Sequence, residues 1–104
     1  MDVRHEPGVT VVAPSGELDF VVAAELRRQL EALLRQGHVQ LTIDLGDVTF
    51  LDATTLGVFV TVLKEARARG GNVVIRNPRP LAIRVLRVTG LDELFGLDGD
   101  GSTR

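Results

Sequence analysis

The run Val39-Gln40-Leu41-Thr42-Ile43-Asp44-Leu45, followed by Gly46-Asp47-Val48-Thr49-Phe50-Leu51-Asp52, decides the architecture. Its first seven residues alternate strictly between apolar and polar types, the signature of a strand whose Val39, Leu41, Ile43 and Leu45 line one face of a core. Asp52 stands where a helix needs an N-cap, and Leu56, Phe59, Val60 and Leu63 then form an apolar stripe that ends near Gly70-Gly71. Asn72-Val73-Val74-Ile75-Arg76 reads as the next core strand. Two strands separated by a helix of this length require a crossover connection, which is almost always right-handed and favours a parallel pair.

Working outward, Val9-Thr10-Val11-Val12-Ala13 is a short strand bounded by Pro7-Gly8 and Pro14-Ser15-Gly16, with Val3-Arg4-His5-Glu6 as its hairpin partner. Asp19 caps a first helix whose Ala23, Leu26, Leu30, Leu33 and Leu34 recur at spacings of three and four, and Gly37 terminates it. After Asn77-Pro78-Arg79, Pro80 occupies the first turn of a third helix that runs through Leu81, Ala82, Val85 and Val88 to Gly90. Leu91 to Leu97 adds a helical turn and a brief edge strand. The expected organisation is a single α/β domain over residues 1–97 in the order β-β-α-β-α-β-α, a small mixed β-sheet of four to five strands with helices packed on it. Residues 98–104, Asp-Gly-Asp-Gly-Ser-Thr-Arg, have the composition of a flexible C-terminal tail.

Composition excludes several functional classes. The 104 residues are 44% hydrophobic, enough for one modest core, and they include no cysteine, so disulfides, thiolate metal sites and thiol nucleophiles are ruled out. Twelve basic against fourteen acidic residues give a net charge of −2, which lacks the basic surplus of direct nucleic-acid binding. Four Phe and no Trp or Tyr leave little for base stacking or a sugar platform. The N-terminus lacks a signal-peptide layout and no apolar run approaches a membrane span, so a cytoplasmic protein without membrane attachment is expected.

Four groups of residues could carry chemistry. In Asp52-Ala53-Thr54-Thr55 an Asp N-cap places Thr54 and Thr55 in a first helical turn, where free N–H groups and the dipole favour an anion. A phosphorylated hydroxyl there would add roughly −1.5 to −2 charges to an exposed surface. An ordinary capped helix start accounts for the same residues. Asp44, Asp47 and Asp52 lack the earlier acidic pair and later lysine of a phosphoaspartate site, since no lysine follows Lys64. His5 and His38 are too isolated in sequence for a metal site or relay and read as surface histidines. The glycine pairs fit neither a P-loop nor a dinucleotide fingerprint. Beside its core stripe the second helix carries Val58, Thr61, Val62 and Glu65, a stripe that the third helix is expected to cover. With no triad, metal set or phosphate loop, an enzyme is not expected, and neither is a cofactor.

From about Gly16 to Leu97 the chain resembles the STAS domain of bacterial anti-sigma-factor antagonists. The matching residues are Gly16-Glu17-Leu18-Asp19, Asp44-Leu45 with Val48-Thr49-Phe50-Leu51-Asp52, Leu56-Gly57-Val58, Gly70-Gly71, and Val88-Thr89-Gly90-Leu91 with Phe95. The resemblance implies partner exchange: a dephosphorylated antagonist binds an anti-sigma factor, often a serine/threonine kinase, and frees a sigma factor, while a phosphatase resets the phosphoprotein. It places partner binding at Asp19, Asp52, Ala53, Thr54, Thr55, Gly57, Val58 and Thr61. It also places the phosphoacceptor directly after the motif aspartate, where this chain has Ala53, which has no hydroxyl. Three readings stay open: a constitutively binding antagonist, use of Thr54 or Thr55 instead, or an alanine that replaces a serine and locks the switch. The resemblance also admits a STAS subunit of a lipid-transport ABC complex or of a stress-sensing assembly, where phosphorylation is not needed.

Overall fold

The structure is a computed structural model that describes residues 1–97; the tail expected at 98–104 lies outside the described residues. The chain runs through Asp2–Glu6 (β1), Val9–Ala13 (β2), Ser15–Leu18 (β3), Phe20–Arg35 (α1), Gln40–Asp44 (β4), Asp47–Leu51 (β5), Ala53–Ala68 (α2), Asn72–Arg76 (β6), Pro80–Val88 (α3) and Leu91–Leu94 (α4). A four-stranded mixed sheet has the order β1-β2-β4-β6, with β1 antiparallel to β2 and the other neighbours parallel. The expected mixed sheet and crossover helices are present. Two short strands add to them: β3 begins inside the Pro14-Ser15-Gly16 segment read as a turn, and β5 occupies the connection before Asp52. They pair parallel as a separate two-stranded sheet.

Register explains the core. Val12 lies opposite Ile43 and Ile43 opposite Ile75, so one cross-strand row holds three fully buried β-branched side chains. The other face of β4 is not left to solvent: Thr42 is buried as well, opposite Val11 and Val74. Phe95 joins α2 through an edge-to-face contact with Phe59 at 6.4 Å, and its carbonyl accepts from the Ile75 N–H.

The helices form where the pattern places them. Asp19 accepts from the Val21 and Val22 N–H groups at the head of α1, and Ala23, Leu26, Leu30, Leu33 and Leu34 are all buried. Gly37, at φ +94°, ends that helix in the left-handed region. Gly71 is required for a different reason: a Cβ there would lie 1.9 Å from the Val39 carbonyl oxygen, which receives the Asn72 N–H. Two expectations are corrected. It is α1, not α3, that packs along α2, with Arg27 reaching Glu65 across the pair. On α3 the buried residues are Ala82 and Leu86, whose i, i+4 spacing faces the core, while Leu81 is exposed and Val88 is 82% exposed.

Asp44, at the end of β4, holds the strand ends together. Its carboxylate accepts from the Gly46 N–H, Arg76 Nε and Asn77 Nδ2 at 2.9, 3.4 and 3.3 Å, and Arg79 Nε donates to the Gly46 carbonyl at 2.7 Å. Partial burial opposes ionisation, but the Gly46, Asn77 and Arg76 donors outweigh it and hold the pKa below the ordinary aspartate value. The unfolded chain therefore takes up this proton more readily than the folded one. The stabilisation is complete at neutral pH and is lost as pH falls through the lowered folded value. Asp44→Ala is expected to lower unfolding free energy at pH 7 by about 1–2 kcal/mol. Urea unfolding at a series of pH values should show the gap to the parent shrinking below about pH 4; a pH-independent gap would contradict the assignment.

Candidate functional site

The site is built by the two short strands, because both run directly into helices at the same level. Leu18 lies opposite Leu51 in the parallel β3–β5 pair. Each leucine is buried, each is followed by an aspartate N-cap, and each aspartate opens a helix of sixteen residues. The two caps share one backbone conformation, φ −102° and ψ −178° at Asp19 against φ −115° and ψ −179° at Asp52. Two helix N-termini thus emerge side by side. Each has its first free N–H groups answered by its own carboxylate: Asp19 Oδ1 accepts from Val21 at 3.0 Å, and Asp52 Oδ1 from Thr55 at 3.0 Å.

A cross-connection fixes the two units. The Leu18 carbonyl accepts the Asp52 N–H at 3.3 Å and the Thr55 hydroxyl at 2.7 Å. Thr55 is fully buried, so its hydroxyl is committed to this bond and is not offered to a partner.

Phe50 reaches the surface through a register shift. Gly16 pairs with Val48, but Glu17 pairs with Phe50, so Thr49 is an extra residue on β5. Uninterrupted alternation from the buried Val48 would bury Phe50 and expose Leu51. With the bulge, Phe50 is 42% exposed and Leu51 only 4%. At the head of α1, Phe20 and Val21 are 71% and 69% exposed. An apolar surface therefore flanks the two capping carboxylates.

Of the residues expected at a partner surface, Ala53, Thr54 and Gly57 are exposed, and Asp19, Asp52 and Thr61 are half-buried. Val58 is buried like Thr55, and the Thr61 hydroxyl turns back to the Gly57 carbonyl at 2.9 Å. Phe20 and Val21 were missing from that set. The repeated pattern Glu17-Leu18-Asp19-Phe20 and Phe50-Leu51-Asp52-Ala53 was the available signal, since it puts an apolar residue beside each cap. Of the three neighbouring aspartates, Asp44 is engaged by Arg76 and Asn77, and Asp47 is exposed on β5 opposite Ser15.

Removing the buried hydroxyl tests the cross-connection. Thr55→Val keeps the shape and leaves the Leu18 carbonyl without this donor, so urea unfolding should show a loss of about 1–3 kcal/mol. Thr55→Ser should retain more than half of that. A valine variant as stable as the parent would show that the hydrogen bond contributes nothing.

The STAS domain family model matches residues 1–100. The anti-sigma-B factor antagonist of Bacillus subtilis (strain 168) is 35% identical over 97 residues, covering 93% of this chain and 88% of the relative. The anti-sigma F factor antagonist of Paenibacillus polymyxa is 30% identical over 96 residues, 91% of this chain and 82% of the relative. Among solved structures, an anti-sigma factor antagonist from Mycobacterium paratuberculosis superposes with a TM-score of 0.76 at 34% identity, covering 93% of this chain and 82% of that one. The phosphorylated form of the Bacillus cell fate determinant SpoIIAA shares the fold, with a TM-score of 0.72 at 21% identity over 88% of this chain and 85% of that one. With a family match across nearly its whole length and antagonist relatives at this level of identity, the chain belongs to the STAS domain family, among its anti-sigma factor antagonists.

Proposed function

We propose that this protein acts by binding an anti-sigma factor, so that a sigma factor is released for transcription, and that it performs no catalysis itself. The observation that carries the reading is the paired helix start: two aspartate caps held at one level, with Phe20, Val21 and Phe50 exposed around them. Aromatic side chains on a rigid frame are effective interface anchors, because few rotamers are lost when they are covered. The partner in this reading is a serine/threonine kinase of the anti-sigma class, working in the cytoplasm, with a phosphatase opposing it.

Regulation must differ from a switch that uses the residue after the motif aspartate. Ala53 has no hydroxyl, and the Thr55 hydroxyl is buried against Leu18. Thr54 carries the one exposed hydroxyl in the first turn of α2. Phosphate there would add roughly −1.5 to −2 charges beside the Asp52 carboxylate, opposing a partner that fits the unmodified surface. An unmodified chain stays competent to bind, and Thr54 is the acceptor in this reading.

The experiment is titration calorimetry with the anti-sigma kinase encoded in the same genome, followed by incubation with that kinase and ATP. Phe50→Ala and Ala53→Asp should each weaken binding at least about tenfold, or 1.4 kcal/mol. Any phosphopeptide should map to Thr54 and vanish in Thr54→Ala. Unchanged affinity in both surface variants would reject the site, and phosphate at another position would reject Thr54.

A further inference from the structure

His5 and His38, far apart in sequence, are neighbours in the fold, contrary to the expectation that they are isolated. The β1–β2 register sets His5 opposite Thr10, and Thr10 in turn lies opposite Leu41 of β4. From the other side, the left-handed turn at Gly37 and the His38 N–H bond to the Leu33 carbonyl at 3.0 Å fix His38 two residues before β4 begins. The imidazole centroids end 4.5 Å apart with planes tilted by 37°. Both rings line one surface pocket of about 320 Å³, with Glu6, Thr10, Val39 and Gln40 around them.

The nitrogens of this pair are only partly used. His5 Nδ1 lies 3.2 Å from the Thr10 hydroxyl; in the tautomer whose Nδ1–H donates to that oxygen, the Nε2 lone pair is left for a ligand. Among the described residues, the His38 ring makes no hydrogen bond. Two imidazoles brought together by strand register and a helix terminator are of a ligand type that suits a borderline divalent transition ion. No group of three or more His, Cys, Asp or Glu that could hold a metal exists among the described residues. Water would therefore complete the coordination sphere, and affinity would be that of a two-ligand chelate.

We propose that His5 and His38 form a two-imidazole binding site for a divalent transition ion such as zinc, linking the β1 edge strand to the segment that enters β4. The site is independent of the paired helix starts. An ion bound to the folded chain and not to the unfolded one would raise the unfolding midpoint by linkage. That gives a readout beyond occupancy.

The test uses the whole chain without an affinity tag, titrated with zinc chloride and followed by imidazole nitrogen resonances, equilibrium dialysis and thermal unfolding. The expected result is one zinc ion per chain, joint perturbation of both rings, and a raised unfolding midpoint. His5→Ala and His38→Ala should each lower zinc affinity at least tenfold and abolish the thermal shift. Zinc uptake of equal strength in either variant, perturbation of one ring alone, or no uptake by the parent would overturn the proposal and leave the pair as a ring contact only.

Discussion

The carbonyl oxygen of Leu18 is the acceptor on which the geometry of the site depends. It receives the Asp52 N–H and the buried Thr55 hydroxyl, so the end of one strand is bonded to the start of the helix that follows the other. That connection adds to the four-residue strand pair and to the packing of α1 along α2 in joining the β3–α1 and β5–α2 units. With it, Asp19 and Asp52 take nearly the same backbone conformation and open their helices at one level. A hydroxyl fully removed from water has little freedom to change partner, because leaving it or its acceptor unpaired costs about 1–3 kcal/mol.

On this frame the bulge at Thr49 does the presenting. It reverses the side on which the remainder of β5 points, burying Leu51 above the core and turning Phe50 out. The same strand end thus supplies a core anchor and a surface anchor in successive residues. Charge and apolar area meet in one place: the Asp19 and Asp52 carboxylates answer their own helix starts, and Phe20, Val21 and Phe50 surround them. In the proposed reading such a surface would recognise a partner by shape and by covered aromatic area, and an added negative charge would oppose that contact. Ala53 has no hydroxyl, so in the proposed reading any such charge would enter through Thr54.

Much of this was legible in the sequence because it rests on local rules. The aspartate caps at 19 and 52 and a strand within Val39 to Leu45 are read from a few adjacent residues and reappear in the structure, although β4 buries Thr42 as well as Leu41 and Ile43. What escaped needed tertiary information. Pro14 and Gly16 disguised β3 as a turn, and the bulge broke the alternation that would have revealed β5. The burial of Thr55 depends on a carbonyl 37 positions away. The orientation of α3, with Leu86 inward and Val88 outward, was partly legible, because Arg84 and Arg87 mark its solvent side and Val88 lies one turn from Arg84. His5 and His38 met only through the register of three strands.

The central claim is that the paired helix starts form the face that meets the anti-sigma factor. Amide hydrogen exchange of the free chain and of its complex with that partner tests it most directly. Binding is expected to slow exchange at residues 20–22 and 49–57 and to leave the Leu81–Val88 face of α3 unaffected. Protection centred on α3 or on the β1 edge, with residues 20–22 and 49–57 unchanged, would contradict it.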